Sequence, residues 1–303
     1  MKKQFVTEDG IEYKKHVMSK KDKKNSVLYM LLSLIGVLVF FLLPFMVVIY
    51  YSVVDNPISH KFVGLDNFIR IIQNSSFLQA AKNTATFSLV AVPLAVILSL
   101  VMALILEENI PMKSQFRTFF LSPMMVPVAS IVLIWQVLFD YNGAINEFVK
   151  GLGGNSIDWF KSSYSQIVIV ILFLWKNLGY NMILFMSALN AIPRDVLEVA
   201  TLESASELQK FWYIKLRYLS STILFVAILS LINSFKVFRE VYLLTGDYPY
   251  DSLYMLQHFM NNTFKSLDYQ KLSAAAIIMG VVMCIVIGCL FFAEDRYGKD
   301  VEG

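Results

Sequence analysis

Long apolar stretches alternate with shorter polar ones along this chain of 303 residues. Crossing the hydrocarbon core of a bilayer takes about 20 mostly apolar residues in a helix. Six stretches meet that length: residues 27–53, 83–106, a stretch ending near 139, then 164–192, 218–241 and 272–293. The pattern therefore predicts an all-α membrane protein with six transmembrane helices.

The composition agrees with this interpretation. Apolar residues make up 57% of the chain, charged residues only 16%, and the mean hydropathy is +0.59. A soluble domain usually has about a quarter of its residues charged. The six segments and their loops account for the length, so we expect no soluble catalytic domain.

Lysine and arginine are distributed unevenly between the two sides of the predicted bundle. The first 26 residues contain eight lysines, and cytoplasmic segments carry the excess of positive charge. With both termini and the loops 107–117 and 194–217 inside, 16 basic residues lie inside and nine outside. We therefore predict a cytoplasmic basic segment at 1–26, a six-helix transmembrane domain at 27–293 and a cytoplasmic tail at 294–303. A basic run can also bind nucleic acid, but beside a transmembrane segment topology explains it better, and no nucleic-acid partner is expected.

The polar stretch 194–217, between the fourth and fifth apolar segments, has a helical pattern of its own. Its apolar residues recur at spacings of three and four: Leu197, Ala200, Ala205, Leu208, Phe211 and Trp212. Asp195 and Glu198 occupy the first turn, where negative charge complements the helix dipole. This spacing predicts one short amphipathic helix. Such a helix either lies in the membrane interface or forms a docking surface on the water side.

The same stretch resembles the "EAA" loop of the membrane subunits of binding-protein-dependent ABC importers. The register is Glu198-Val199-Ala200, then Glu203-Ser204-Ala205, then Phe211, Ile214 and Leu216-Arg217. Ser204 stands where the family has glycine, and Arg217 stands where it has proline. The resemblance implies a cytoplasmic coupling helix that docks in a cleft of a separate ATP-hydrolysing subunit.

The resemblance also implies roles for individual residues of this loop. Glu198 would make a charged contact at the cleft, and Ala200 and Ala205 would allow close approach. Leu208 and Phe211 would anchor the loop to the transmembrane helices. Val199, Glu203 and Ser204 complete the expected ATPase-coupling set, and the departure from glycine bears on the turn geometry at Ser204.

Further motifs resemble the carbohydrate subfamily of these importers, which takes up sugars, oligosaccharides or glycerol phosphate. They are Gly64-Leu65-Asp66-Asn67-Phe68, Asn83-Thr84, Phe116-Arg117 before Pro123, Leu244-Thr245-Gly246, and Ser273-Ala274-Ala275-Ala276. The resemblance implies the type I importer permease fold in the cell membrane, with the chain forming half of the translocation pathway. It also implies a second homologous permease subunit, an ATPase dimer that binds ATP and magnesium, an extracytoplasmic solute-binding protein and a carbohydrate substrate.

The sequence offers no candidate catalytic or metal site. The three histidines fall at positions 16, 60 and 258, in different loops or tails. We find no paired His-Glu metal motif, phosphate-binding glycine loop or nucleophile elbow. We therefore expect a permease subunit that is not an enzyme, holds no cofactor and depends on a partner for ATP hydrolysis.

Polar residues inside the fourth and fifth segments are candidates for the substrate path, because such groups usually face a bundle interior or cavity. They are Trp175, Asn177, Tyr180, Asn181, Asn233 and Lys236. An aromatic face beside amides suits a sugar ring, which has apolar faces and hydroxyl edges. The alternatives are hydrogen bonds between helices, an aromatic belt at the interface, and outward snorkelling of Lys176 and Lys236.

Other functions remain open at this level. The same architecture serves importers of non-sugar solutes such as amino acids or phosphate esters. A secondary transporter driven by an ion gradient would need acidic residues in mid-span, and we find none in the cores of the six segments. An intramembrane enzyme is a more remote alternative.

Overall fold

The computed structural model describes residues 5–6, 12–13, 20–108 and 110–297. Most of the predicted basic segment 1–26 and the end of the tail 294–303 therefore lie outside the described residues. Within the described part, the chain is helical apart from one antiparallel pair of strands, β1 (Phe5–Val6) and β2 (Glu12–Tyr13).

The helices follow one another closely, with few long connections. In the first half they are α1 (Lys20–Val37), which continues through the π-helical turn Leu38–Leu42 into α2 (Leu43–Ser52), then α3 (Asp66–Ile72), α4 (Ser75–Glu107), α5 (Lys113–Met125), α6 (Val128–Leu138) and α7 (Ala144–Gly151). In the second half they are α8 (Ser165–Asn190), α9 (Arg194–Leu202), α10 (Glu207–Lys210), the π-helical turn Phe211–Lys215, α11 (Leu216–Tyr218), α12 (Ser220–Lys236), α13 (Phe238–Thr245), the 3-10 turn Asp251–Leu253, α14 (Leu256–Lys265) and α15 (Tyr269–Tyr297).

Five helical stretches of the described chain are long and apolar enough to cross a bilayer. They are Tyr29–Ser52, Ser75–Glu107, Ser165–Asn190, Ser220–Thr245 and Tyr269–Arg296. The number becomes six if α5 and α6 together form one bent span, since their axes meet at 101°. The expectation of a helical protein that crosses the membrane several times is therefore confirmed.

The bend between α5 and α6 occurs at Pro127 and not at Pro123. α5 runs through Pro123 as far as Met125. Val126 then adopts an extended conformation with φ −82° and ψ 133°, as the residue before a proline prefers. Pro127 caps α6, where its missing N–H breaks no helical hydrogen bond.

The second transmembrane helix begins earlier than the sequence indicated. Instead of starting at residue 83, α4 starts at Ser75, and the side chain of Asn74 accepts a hydrogen bond from the N–H of Phe77. Gln79 and Asn83 are polar residues of the first turns of α4. In the structure both amides donate to the carbonyl oxygen of Asp251, so these polar groups are satisfied on one face of a regular helix.

The centre of the bundle is formed by α4, α8 and α12, while α2 and α15 pack together at its edge. Phe87 of α4 meets Phe173 of α8 edge to face, beside the small residues Ala91 and Ala95. The apolar window of the first span has no buried side chains, and that of the last has almost none. The first and last spans therefore leave most of their surface outside the bundle of this chain.

Close contact between α5 and α8 depends on one glycine. A Cβ atom placed on Gly179 would lie 1.9 Å from the carbonyl oxygen of Phe120. Small residues let transmembrane backbones approach in this way. Gly179 thereby fixes α5, the first half of the bent pair, against the middle of α8.

Candidate functional site

The loop with the "EAA" pattern forms two short helices separated by a turn, not the single helix predicted for 194–217. α9 ends at Leu202, and the N–H of Ala205 donates to the carbonyl of Ala200 at 2.9 Å. The N–H of Ser204 donates to the carbonyl of Thr201 at 3.0 Å. These two bonds make a Schellman C-cap. Periodicity alone could not show the break, because the apolar spacing continues across it.

Ser204 adopts the left-handed conformation that this cap requires, with φ +61°. Glycine reaches this region without steric strain, whereas other L-residues are strained there by about 1–2 kcal/mol. The position that has glycine in the "EAA" pattern thus keeps its turn geometry with serine.

α10 begins immediately after the turn with a capping box. The Ser206 hydroxyl accepts a hydrogen bond from the N–H of Gln209, and the Gln209 side chain accepts one from the N–H of Ser206 at 2.8 Å. Lys210 donates to Glu207 at 2.7 Å, and this hydrogen bond holds the pKa of Glu207 below its usual value. Both ends of the turn are therefore fixed by local interactions.

The outer surface of α9 and α10 combines acidic and apolar side chains. Glu198 is exposed, Leu202 is 84% exposed and Leu208 is 70% exposed. Leu208 was expected to anchor the loop to the transmembrane helices, but most of its side chain is exposed in this structure. Exposed large apolar side chains close to charged ones on a short helical segment are compatible with a protein–protein contact.

Other residues anchor the loop instead. Leu197 and Ile214 pack against the buried cluster that contains Ile192, Leu189 and Leu219. Of the residues expected to contribute to coupling, Val199 and Glu203 are exposed, Ala200 is buried, and Ala205 and Phe211 are partly buried. Ala200 and Ala205 also line a recess between α9 and the π-helical turn.

An ion pair places this loop at the same end of the bundle as the end of α4. Lys215 Nζ lies 2.7 Å from Glu107 Oε2, and the pair is mostly shielded from solvent. Lys113 Nζ also donates to the carbonyl oxygen of Glu107 at 3.0 Å. The two loops that we predicted to share one side of the membrane therefore lie together.

A second site is a cavity of about 440 Å³ at the middle of the bundle. It is lined by α8, α12 and α13, with Met124 of α5: Met124, Leu172, Phe173, Lys176, Asn177, Tyr180, Leu229, Asn233, Lys236, Val237, Arg239 and Glu240. Four of the six residues predicted for the substrate path are among them. The Asn233 amide donates to the Asn177 amide oxygen at 2.9 Å, which joins α8 to α12 beside the cavity.

The structure places the other two candidates outside the lining. Asn181 is buried and donates to the Ser230 hydroxyl at 2.9 Å, so it links α8 to α12 by a hydrogen bond between helices. Trp175 turns toward α6, where its ring centroid lies 6.2 Å from that of Trp135. Asn181 therefore makes the hydrogen bond between helices that was the alternative to the substrate path, and Trp175 contacts an aromatic side chain of α6.

Glu240 is the residue that sequence reasoning missed. It lies within the fifth span, is 3% exposed and forms an ion pair with Lys176 of the fourth span. The sequence predicted no acidic residue in the cores of the six segments, and Glu240 lies outside such a core, five residues before the end of its span at Thr245. Its carboxylate gives Lys176 a partner within the bundle. The sequence did contain a signal for this pair, namely a glutamate and a lysine in two apolar segments, because a carboxylate inside a transmembrane helix is costly unless it is paired.

The comparisons with known proteins agree with each other. Residues 91–300 match the family model described as "Binding-protein-dependent transport system inner membrane component". The chain is 30% identical over 286 residues to a trehalose/maltose transport system permease protein of Thermococcus litoralis, covering 92% of this chain and 96% of that protein. It is 29% identical over 263 residues to a sn-glycerol-3-phosphate transport system permease protein of Rhizobium meliloti, covering 84% and 88% of the two chains.

The fold also matches a solved structure. One chain in the crystal structure of a bacterial ABC transporter involved in the import of the acidic polysaccharide alginate superposes with a TM-score of 0.80. The match covers 92% of this chain and 99% of that chain, at 19% sequence identity. At this identity the likeness shows a shared fold.

Proposed function

Because this chain belongs to the family of binding-protein-dependent transport system inner membrane components, we propose that it is one permease subunit of an ATP-driven carbohydrate importer. It forms half of the translocation pathway together with a second homologous permease. An ATPase dimer binds ATP and magnesium and supplies the energy, and an extracytoplasmic binding protein delivers the substrate. The carbohydrate assignment is supported by relatives named for trehalose/maltose and for lactose transport.

The proposed topology has six crossings, with α5 and α6 together forming the third. Both termini and α9 lie in the cytoplasm, so that 1–26 and 294–303 are cytoplasmic segments on either side of a permease domain at 27–293. The bias of basic residues supports this orientation. The ion pair between Lys215 and Glu107 supports it too, since it holds two of the predicted cytoplasmic loops together.

One observation carries the coupling role. α9 stands at the end of the bundle between two spans, rigidly capped at Ser204, and it presents Glu198, Val199 and Leu202 outward. The sequence carries no phosphate-binding glycine loop, so the energy must come from a partner ATPase. A contact at α9 would pass the movement of that ATPase to α8 and α12. Leu197 and Ile214 connect the loop to the core that those two helices share.

The cavity lined by Asn177, Tyr180, Asn233 and Lys236 is the proposed substrate path of this subunit. Its position supports the role, because it lies at mid-length of two central helices. Its volume is within the range of small-molecule sites, about 300–1,000 Å³. Asn181 and Trp175 act by packing around it.

Charge reversal on α9 tests the proposed function. In proteoliposomes with the complete importer, Glu198→Arg is expected to leave ATP hydrolysis running while binding-protein-dependent uptake falls about tenfold or more, since a charged contact is replaced by repulsion. Glu108→Arg is the matched control, because Glu108 is exposed at the same end of the bundle but lies off α9. Normal uptake by the Glu198 variant would contradict the coupling role.

One observation favours a second candidate, a carrier driven by an ion gradient. Glu240 supplies a buried carboxylate within a span, the kind of group that such a carrier uses. Its pairing with Lys176 argues for a structural carboxylate instead. Uptake by vesicles that hold an ion gradient but lack ATP would support the carrier, and dependence on ATP would exclude it.

A further inference from the structure

The central cavity carries an unbalanced charge. Its lining includes three cationic side chains, Lys176, Lys236 and Arg239, and one carboxylate, that of Glu240. Lys176 uses this carboxylate in an ion pair. Among the described residues neither Lys236 nor Arg239 has a partner in any ion pair or hydrogen bond. The lining therefore has two uncompensated positive charges.

These charges lie well inside the membrane-spanning region. At 1.5 Å per residue, Lys236 is about 14 Å and Arg239 about 9 Å from the end of their span at Thr245. Both distances are measured from the end of the bundle opposite α9. A hydrocarbon core is about 30 Å thick, so Lys236 lies near the middle of the span and Arg239 lies closer to its end.

Unpaired cations at this depth are costly unless a ligand, water or another protein group meets them. Their joint field attracts an anion into the cavity and repels a cation. Arg239 also adds directional hydrogen bonding, because a guanidinium group binds a carboxylate or phosphate through two parallel hydrogen bonds. The cavity thus has the chemistry to hold one acidic group.

The rest of the lining suits a sugar. The Asn177–Asn233 amide pair and the Tyr180 hydroxyl can exchange hydrogen bonds with hydroxyl groups, and the Tyr180 ring can cover an apolar sugar face. Glu240 adds a further acceptor, since its Oε2 is buried without a hydrogen-bond partner among the described residues. Buried polar atoms left in this way are rare and call for an explanation.

We infer that the substrate is an anionic saccharide, whose carboxylate or phosphate group passes between Lys236 and Arg239. This inference rests on the proposed function, because it assumes that the cavity is part of an importer pathway. It narrows the substrate from carbohydrates in general to sugars that carry a negative charge. The Lys176–Glu240 pair stays intact and keeps the fourth and fifth spans together around the ligand.

The first test identifies the ligand. The solute-binding protein that co-purifies with the importer is isolated from cells, and the small molecule that it carries is identified by mass spectrometry. A saccharide with a carboxylate or a phosphate group supports the inference, and its mass distinguishes the two acidic groups. A neutral sugar overturns it.

The second test measures ATP-dependent uptake of that molecule by proteoliposomes of the complete importer. Lys236→Gln and Arg239→Gln are each expected to reduce uptake about tenfold or more, because an unpaired acidic group would have to pass the cavity. Lys236→Arg keeps the charge and is expected to retain most of the activity. Lys82→Gln, at an exposed lysine outside the lining, is the matched control.

The two hypotheses fail in different ways. Unchanged uptake in both glutamine variants overturns the inference while the importer still works. Normal uptake of a neutral sugar also overturns the inference, since it would mean that carboxylates of the partner permease neutralise the two cations. Failure of the proposed function gives a different result, namely no ATP-dependent and binding-protein-dependent uptake by the wild-type complex, and this contradicts both.

Discussion

Lys215 Nζ lies 2.7 Å from Glu107 Oε2, and this ion pair joins the segment after α10 to the end of α4. The two residues are 108 positions apart in the sequence, yet they hold the α9–α10 loop to one of the central helices. The proposed function requires the α9–α10 loop to pass a movement of the ATPase to the transmembrane helices, so the loop must be firmly attached to them. The pair is therefore expected to matter for both stability and transport.

Removing the charge of one partner tests this connection. Lys215→Met and Glu107→Gln are each expected to lower the free energy of unfolding by about 1–3 kcal/mol, between the values for exposed and buried pairs. The double variant should lose less than the sum. Thermal unfolding in detergent measures the effect. Lys265→Met breaks the more exposed pair with Asp247 and should cost under about 1 kcal/mol, and equal losses at both pairs would argue against the special role of Lys215.

The left-handed turn between α9 and α10 allows a prediction about substitutions of Ser204. Ser204→Gly is expected to stabilise the protein by about 0.5–1 kcal/mol, because glycine relieves the strain at φ +61° but loses more entropy on folding. Ser204→Val is expected to destabilise it, since a β-branched side chain tolerates this region poorly. A lower melting temperature for the glycine variant would show that the turn does not exist.

Gly179 has no room for a side chain. Gly179→Ala is expected to cost about 1–3 kcal/mol or more and to reduce uptake, because the added methyl group would push α5 away from α8. Gly280→Ala is the matched control, since this glycine of α15 has no atom within 4 Å of an added Cβ. If the two variants behave alike, the close contact with Phe120 is wrong.

His258 predicts a loss of stability in acid. Burial lowers the pKa of this imidazole from 6.5 to about 4, although the charge of Asp247 opposes the shift. The folded state therefore holds His258 neutral, with Nδ1 accepting the N–H of Met255 at 3.3 Å. Between pH 6.5 and about 4 the unfolded chain binds a proton that the folded chain does not. The free energy of unfolding therefore decreases as the pH is lowered through this window.

The glutamine variant isolates this effect, because it keeps a hydrogen-bond acceptor and cannot titrate. The wild type is expected to lose on the order of 1–3 kcal/mol relative to His258→Gln between pH 7 and pH 4. Melting temperatures of both proteins at several pH values provide the measurement. A difference that does not change with pH would contradict a buried neutral imidazole.

Much of the architecture was accessible from the sequence because it depends on local patterns. Long apolar runs located the spans, and the spacing around Glu198 and Ala205 located the loop that leaves the bundle. The break at Ser204 was not accessible, because the apolar spacing continues through it and only the backbone conformation shows the turn. The exposure of Leu208 was not accessible for the same reason, since this residue follows the break.

For the candidate substrate path, too, the sequence could not show which residues line the cavity. Asn177 and Asn181 are four residues apart, on nearly the same face of one helix, yet one lines the cavity and the other bonds to Ser230. Helix geometry separates them by a rotation of about 40°. Which of the two positions meets the cavity is decided by the neighbouring helices, not by the local sequence. The pairing of Lys176 with Glu240 likewise depends on how the fourth and fifth spans pack.

The most direct measurement of the central claim is site-specific photocrosslinking in native membranes. A photoreactive amino acid is placed at Val199, which is 54% exposed on α9, and at Leu152 after α7 as the control. We expect position 199 to form an adduct with the ATPase subunit, identified by mass spectrometry, and position 152 to form none. An adduct of position 199 with the extracytoplasmic binding protein, or its failure to reach the ATPase, would contradict the account.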